Sequence, residues 1–182
     1  MTLPETHQLL TRVLDGRQAW YECKIAHLAA APSATWMELG LNVPGWPKHL
    51  EWTDRVFAEG CRRLVEQLDA QPVAKLRGDA GRFALFRCPL SARVAKRRAV
   101  ELEQAHPWGR LWDIDCRGPG GPITRRALGL SERPCLACHR PHETCIGSGR
   151  HSLADVRRRA GAIAARPHIA QRAKAGHHRS TP

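Results

Sequence analysis

Two aspartates separated by one residue, Asp113 and Asp115, are the side chains in this sequence whose type and spacing most directly suggest chemistry. Residues two apart on a β-strand project from the same face, roughly 7 Å apart. Two carboxylates on one face repel each other unless a cation, a proton or arginines compensate them. Mg²⁺ prefers one or two carboxylates together with phosphate oxygens of a substrate. The pair is therefore a candidate magnesium site for phosphoryl or nucleotidyl transfer.

Basic residues precede this pair. Arg110 comes shortly before the first acid, and His106 lies at the end of the preceding predicted helix. A basic side chain at this place could hold a triphosphate through charge-assisted hydrogen bonds. An alternative is that the two acids are ordinary exposed side chains on a half-buried strand. Asp is unfavourable in strands, however, which favours a functional reason for the pair.

A second candidate phosphate contact is the turn that contains Pro44 and Gly45, which ends a predicted strand and is followed by Lys48. Glycine permits backbone amides to approach an anion, and Lys48 near a helix start could reach the same phosphate. The GxxxxGK[ST] pattern of a Walker loop is absent. An ordinary strand-to-helix turn explains these residues at least as well.

A third candidate is a metal site with the spacing Cys-x2-Cys-x6-Cys-x5-His, formed by Cys135, Cys138, Cys145 and His151. Four such ligands, opened by a Cys-x2-Cys knuckle, suit tetrahedral Zn²⁺. His139 and His142 compete for the fourth position. Redox-active or buried thiols and a catalytic metal are the alternatives to structural zinc. The other cysteines lie in apolar settings and are predicted to fill the core: Cys23, Cys61, Cys88 and Cys116.

Hydrophobic periodicity predicts the elements that must position these residues. Helical spacing predicts helices over about 5–30, 51–70, 91–105 and 152–165. Alternation predicts strands over 34–43, 82–88 and 109–117. The expected class is α+β, a mixed sheet flanked by helices, with a C-terminal Cys/His cluster and helix. We expect one domain over 1–168, including a Cys/His knuckle at 133–152, and a disordered basic tail over 169–182.

Composition places the chain of 182 residues among globular proteins, since hydrophobic residues make up 42% and charged residues 25%. No bilayer-spanning run or signal peptide is visible, so a cytoplasmic protein without a membrane partner is expected. The net charge is +12, and the segment from Arg150 onward has eight basic residues and one acid. Such charge fits a solvated helix, nucleic acid, a phosphate-rich substrate or an acidic carrier protein.

With these motifs in place, the chain resembles the CitX family, the holo-acyl-carrier-protein synthases of citrate lyase. The segment 106–115, HPWGRLWDID, is similar to the H-P-x-G-R-L-W-D-I-D block of that family. The four Cys and His residues reinforce the resemblance, and 44–48 is similar to the family's PG-x-x-K element. Together these motifs cover about residues 10–165.

The resemblance implies transfer of phosphoribosyl-dephospho-CoA from triphosphoribosyl-dephospho-CoA to a serine of the apo acyl carrier (gamma) subunit of citrate lyase, with pyrophosphate released. In that reaction Asp113 and Asp115 would bind Mg²⁺ at the donor phosphates. Three basic residues would neutralise the departing pyrophosphate: Arg110, Lys48 and Lys96. His106 would assist the attacking serine or cap a helix. A nucleotidyltransferase-like fold is expected on analogy.

Two other functions stay open at this point. A zinc-knuckle nucleic-acid-binding module would explain the cysteines and the basic tail, and predicts salt-sensitive DNA or RNA binding. The carrier subunit of malonate decarboxylase is an alternative acceptor for the same group. The segment 106–115 favours the citrate system over both, so no nucleic-acid partner is expected.

Overall fold

The computed structural model describes residues 3–167 and has the predicted α+β class. Its helices are Leu3–Ala30 (α1), Thr53–Leu68 (α2), Ala92–Ala105 (α3), His142–Gly147 (α4) and Leu153–Ala164 (α5). Its strands are Thr35–Leu41 (β1), Gln71–Gly78 (β2), Gly81–Cys88 (β3), Trp112–Gly118 (β4) and Gly121–Pro122 (β5). Two short 3₁₀ turns cover Gly109–Leu111 and Arg126–Leu128. The predicted disordered tail, 169–182, lies outside the described residues.

The strands form one sheet in the order β2-β3-β1-β4-β5. All pairings among these strands are antiparallel, so the expectation of a mixed sheet was wrong. Tight turns join β2 to β3 and β4 to β5, and such turns can connect only antiparallel neighbours. Strand β1 lies in the middle of the sheet, between β3 and β4, where both of its edges are hydrogen-bonded.

Hydrophobic alternation predicted neither β2 nor the two-residue β5. Strand β2 is an edge strand that contains Pro72, and its register against β3 shifts between Pro72 and Ala74. Its Lys75 and Arg77 side chains are exposed. Edge strands tolerate proline and charge because one side of the strand faces water. The alternating apolar signal is therefore weak in this strand.

One face of the sheet packs against α2 and α3 and forms the main core. Its fully buried side chains include Met37, Leu39, Val56, Leu64, Phe86, Trp112 and Ile114. Helix α2 buries Val56, Leu64 and Leu68 in this core, whereas its Val65 is 42% exposed. Ser91 is the N-cap residue of α3. Burial of this face fixes which side chains of β4 point away from the core.

The other face of the sheet is covered only in part. Helix α1 packs over it through Trp20, which stacks on Phe83 with ring centroids 5.5 Å apart and is buried with Trp36 and Leu85. The side chains that β4 presents to this face are exposed. Helix α1 and β4 thus border an opening on the sheet surface. Within residues 3–167, none of the helices is both long enough and apolar enough to cross a bilayer.

Candidate active site

The two predicted acids lie side by side on the open part of this face. Strand β4 alternates strictly, with Trp112, Ile114 and Cys116 buried and Asp113 and Asp115 outside. Their side chains are 59% and 74% exposed. They line one cleft of about 800 Å³ between β4 and α1, a size that suits a cofactor-sized ligand. The predicted sharing of one face by the two acids is confirmed.

A third carboxylate, Glu38, lines the same cleft and was missed in the sequence. In the β1–β4 register Glu38 lies directly opposite Asp115, and Gly40 lies opposite Asp113. The Nζ of Lys24 donates to Glu38 Oε2 at 2.7 Å, and the indole N–H of Trp20 donates to Oε1. The signal in the sequence was one acid at an alternating position of an otherwise apolar strand. The register between β1 and β4 brings Glu38 next to the aspartates, and the pattern of β1 alone does not reveal that register.

Strand β5 pairs only with the last residues of β4, Arg117 and Gly118. Along the rest of this edge, side chains bind the backbone groups of β4. Lys96 is buried, and its Nζ donates to the Ile114 carbonyl at 2.6 Å. The Ile114 N–H donates to Glu103 Oε1 at 3.2 Å. Buried backbone groups need such partners, so these charged residues complete the missing strand pairing.

Two of these edge residues also touch the acids. Lys96 Nζ lies 3.5 Å from Asp115 Oδ1, and Arg133 Nη1 donates to Asp113 Oδ1 at 2.8 Å. Arg133 also donates through Nη2 to the Trp112 carbonyl. The predicted neighbourhood of Lys96 and the acid pair is thus observed. Arg133 was not predicted, because it lies in the loop before the cysteines and only the fold brings it to β4.

The cleft has a charged side and an apolar side. Basic and acidic side chains line it in equal number: Lys24, Lys96, Arg117, Arg125, Arg126 and Arg133 are basic, and Glu38, Glu103, Asp113, Asp115, Glu132 and Glu143 are acidic. Arg117 and Arg126 are exposed, and neither forms an ion pair with another described residue. The apolar side is formed by Tyr21, Ile25, Leu28 and Trp36. Such a cleft can take a ligand that combines phosphates with an aromatic or aliphatic part.

Arg110 supports the cleft wall from outside the cleft. Its Nη2 donates to the Pro134 carbonyl, in the residue next to Arg133. Burial lowers the pKa of the Arg110 guanidinium from its ordinary value, and the nearby Arg133 adds to this. Arg110 is not among the residues that line the cleft. The structure therefore places it behind Arg133, one step away from the acids.

His106 lies on the opposite side of the sheet from the acids. Its ring packs against Trp112, with centroids 4.4 Å apart, at the C-terminal end of α3. Its Nδ1 accepts the Trp108 N–H at 3.0 Å, and its Nε2 lies 3.4 Å from Glu59 Oε1. This buried position favours the capping role over contact with an acceptor serine in the cleft.

The turn with Pro44, Gly45 and Lys48 does not reach the cleft. Lys48 lines a separate hollow of about 140 Å³, and its Nζ donates to the Val43 carbonyl at 2.7 Å. Burial lowers the pKa of the Lys48 ammonium, and two nearby arginines lower it further. A Cβ on Gly45 would lie 2.8 Å from Leu153, so this turn packs against α5. The expectation that Lys48 shares a phosphate with the acid pair is not supported by this geometry.

The Cys/His cluster (Cys135, Cys138, Cys145 and His151) is brought together as predicted. Its four ligand atoms all lie within 4.8 Å of one another. The group contains His151 and neither His139 nor His142. The remaining cysteines are free, and burial raises the pKa of Cys61 to about 11 and that of Cys116 to about 12. Cys61, Cys88 and Cys116 are buried core residues, as predicted, whereas Cys23 is only half-buried.

Comparison with known proteins links this site to one family. The CitX family, described as apo-citrate lyase phosphoribosyl-dephospho-CoA transferase, matches residues 8–166. A protein of that name from Escherichia coli O139:H28 (strain E24377A / ETEC) is 35% identical over 126 residues, which are 66% of this chain and 69% of that protein. Its namesakes from Escherichia coli O9:H4 (strain HS) and Shigella boydii serotype 18 (strain CDC 3083-94 / BS512) match to the same extent. The matched range contains both the acid cleft and the Cys/His cluster.

Proposed function

The chain belongs to the CitX family, and we propose that it transfers phosphoribosyl-dephospho-CoA to the apo acyl carrier subunit of citrate lyase. The donor in this proposal is triphosphoribosyl-dephospho-CoA, and the acceptor is a serine hydroxyl of the gamma subunit. The observation that supports it is the exposed acid pair in a cleft with basic side chains on one side and an apolar surface on the other. That combination matches a donor with a triphosphate, an adenine ring and an aliphatic arm.

The acid pair fits a magnesium site. Among the described residues, Asp113 and Asp115 each contact a cation through Oδ1 alone, so Oδ2 of each carboxylate is available to a ligand. Gly40, which lies opposite Asp113, contributes no side chain to this part of the cleft. Oxygen ligands of this kind suit Mg²⁺. When bound, Mg²⁺ would neutralise phosphate charge and align the reacting groups.

The basic side chains would bind and orient the triphosphate. Arg117 and Arg126 are exposed at the cleft and have no ion pair among the described residues, so their charges are available to phosphate oxygens. Lys96 and Arg133 are already held beside the acids and would stabilise charge that develops during transfer. Transfer of this type depends mainly on positioning and charge stabilisation.

The transfer itself is a nucleotidyl-type substitution. The serine oxygen forms a bond to the phosphorus of the triphosphate that is attached to the ribosyl group. The bond from that phosphorus to pyrophosphate breaks, and the serine proton is released. The apolar side of the cleft would hold the adenine or pantetheine part of the donor against Tyr21 and Ile25. The exposed arginines around the cleft would favour the approach of an acidic acceptor domain.

A reconstituted reaction tests this proposal. The protein is mixed with Mg²⁺, triphosphoribosyl-dephospho-CoA and purified apo carrier subunit, and the carrier is weighed by intact mass spectrometry. We expect a mass gain equal to one phosphoribosyl-dephospho-CoA group, and pyrophosphate in equal amount. A parallel reaction contains the apo carrier of malonate decarboxylase. No gain on either carrier contradicts the proposed transfer, and gain on the second carrier alone contradicts the proposed acceptor.

A further inference from the structure

We propose that the Cys/His cluster binds one Zn²⁺ and that this ion holds Arg133 against β4. The zinc site itself stands on the geometry of the cluster alone. The effect of the ion on the cleft rests on the proposed function, because Arg133 is a residue of that cleft. The two halves are tested by separate measurements below.

The distances within the Cys/His cluster suit a tetrahedral metal site. The Cys138 and Cys145 sulfurs are 3.5 Å apart, and His151 Nε2 is 3.3 Å from the Cys138 sulfur. Two sulfurs bound to one tetrahedral Zn²⁺ at its usual bond length are about 3.8 Å apart, and a sulfur–nitrogen pair is slightly closer. All four atoms lie within 4.8 Å of one another, so one ion can reach them together.

The surroundings of the first ligand also suit a bound metal. The Ala137 N–H points to the Cys135 sulfur at 3.4 Å, as expected of a backbone that folds around a metal-bound thiolate. Cys135 and Cys145 are buried, whereas Cys138 and His151 are half-buried. A single disulfide could join only two of the three sulfurs. A disulfide would not explain why the third thiol and the His151 imidazole also lie in the cluster.

Apart from the polar contacts at Arg133 and Pro134, the segment that contains the cluster has little regular structure and few apolar contacts to hold it in place. Between 133 and 152 the regular structure consists of the six-residue α4 and one isolated bridge, between Pro134 and Pro141. Leu136 is the residue of this segment that joins the main core. A segment with so few apolar contacts gains its stability when a metal cross-links it.

The cluster ties the cleft wall to a helix that is anchored in the core. Cys135 follows Arg133 by two residues, and the His142 N–H donates to the Arg133 carbonyl at 2.9 Å. His151 directly precedes Ser152, the N-cap of α5, and Ala160 and Ile163 of this helix are buried in the main core. One ion would thus connect the loop that carries Arg133 to a fixed element. The ion would add to the support that Arg110 gives this loop through the Pro134 carbonyl, and its loss would weaken the contact of Arg133 with Asp113.

Metal analysis of the full-length protein tests the zinc site. We expect about one equivalent of Zn²⁺ per chain after purification without added metal, and less than about one fifth of that in Cys138→Ser and His151→Ala. The control Cys23→Ser removes a half-buried thiol outside the cluster and should keep the full equivalent. Metal-free wild-type protein with the same thermal midpoint as zinc-loaded protein overturns the zinc site. A mass two hydrogens below that of the reduced chain, without zinc, overturns it in favour of a disulfide.

Limited proteolysis and transfer rates test the effect on the cleft. A zinc-selective chelator, with Mg²⁺ kept in excess, should raise trypsin cleavage after Arg150 at least about 10-fold and lower Tm by at least about 5 °C. The transfer rate should fall at least about 10-fold and return when Zn²⁺ is added. Zinc loss that leaves cleavage and transfer unchanged overturns the role in holding Arg133. If zinc-loaded protein shows the proteolytic effect but no transfer at all, the proposed function fails and the zinc site stands.

Discussion

On each side of the sheet, a carboxylate group lies beside cationic side chains. The two sites differ in how many carboxylate oxygens the protein itself engages. Behind the sheet, Glu59 is 8% exposed, and Arg62 and Arg63 donate to it at 2.6–2.8 Å and engage both of its oxygens. In front, Asp113 and Asp115 are 59% and 74% exposed, and each contacts a cation through one oxygen. Both oxygens of Glu59 are bonded within the protein, whereas Asp113 and Asp115 each keep one oxygen available to a ligand.

This difference separates structural charge from functional charge. A buried carboxylate must be paired to be tolerated, so its partners explain its presence. Exposed carboxylates need no such pairing to be tolerated, so the free oxygens of Asp113 and Asp115 can serve a ligand. The segment 106–115 contributes to both sides, since His106 contacts Glu59 while Asp113 and Asp115 face the cleft. Neighbours in one motif can therefore serve different purposes.

The largest expected effect is on catalysis, from Asp113→Asn or Asp115→Asn. Each should lower the transfer rate about 1,000-fold, because the amide keeps the shape but loses the charge required at the phosphates. Their exposure predicts a change in stability within about 0.5 kcal/mol. Initial rates by mass spectrometry and thermal unfolding measure the two quantities. Asp15→Asn, at an exposed site on α1, is the matched control. Turnover near that of the wild type in either variant would refute the metal role.

The next effect is on stability, from Glu59→Gln. Glutamine can still accept a hydrogen bond but removes the counter-charge of the buried Arg63, and we expect a loss of about 3 kcal/mol in the free energy of unfolding. Denaturant unfolding measures it, and the transfer rate per folded molecule should stay unchanged. Glu66→Gln removes a more exposed partner of Arg62 and should cost no more than about 0.5 kcal/mol. Equal costs for the two variants would contradict the comparison.

The smallest effect is expected from Glu38→Gln. Glu38 is intermediate between the two groups, since both oxygens are bonded yet it lines the cleft opposite Asp115. Loss of its charge should lower the transfer rate about 10-fold, because Lys24 loses its anchor at the cleft wall. Steady-state rates measure this, with Glu22→Gln, at an exposed site of α1, as the control. An unchanged rate would place Glu38 with the structural carboxylates.

Local patterns in the sequence were sufficient for part of the site. The alternation of β4 predicted that Asp113 and Asp115 share an exposed face, because a strand repeats every two residues. The spacing of the Cys/His cluster predicted four groups that meet, and the structure brings them within 4.8 Å. In both cases the relation between the residues is set by a short stretch of backbone.

The rest of the site depends on packing between distant segments. Glu38 reaches Asp115 through the register of two strands, and Arg133 reaches Asp113 from a loop twenty residues away. His106 is separated from the acids by the 3₁₀ turn over Gly109–Leu111, and lies behind the sheet although it is near them in sequence. Lys48 lies in the segment between β1 and α2 and lines another hollow. No periodic pattern encodes any of these placements.

The shortness of β5 has a consequence for how the molecule behaves among its own copies. An uncovered strand edge is a template on which a second chain can add a strand. Here Lys96, Glu103 and Arg133 occupy the backbone groups of β4 that such a strand would use. The side chains that border the cleft thus also act as guards against intermolecular β-pairing. Replacing these side chains would expose the edge of β4 and promote aggregation, whatever the effect on catalysis.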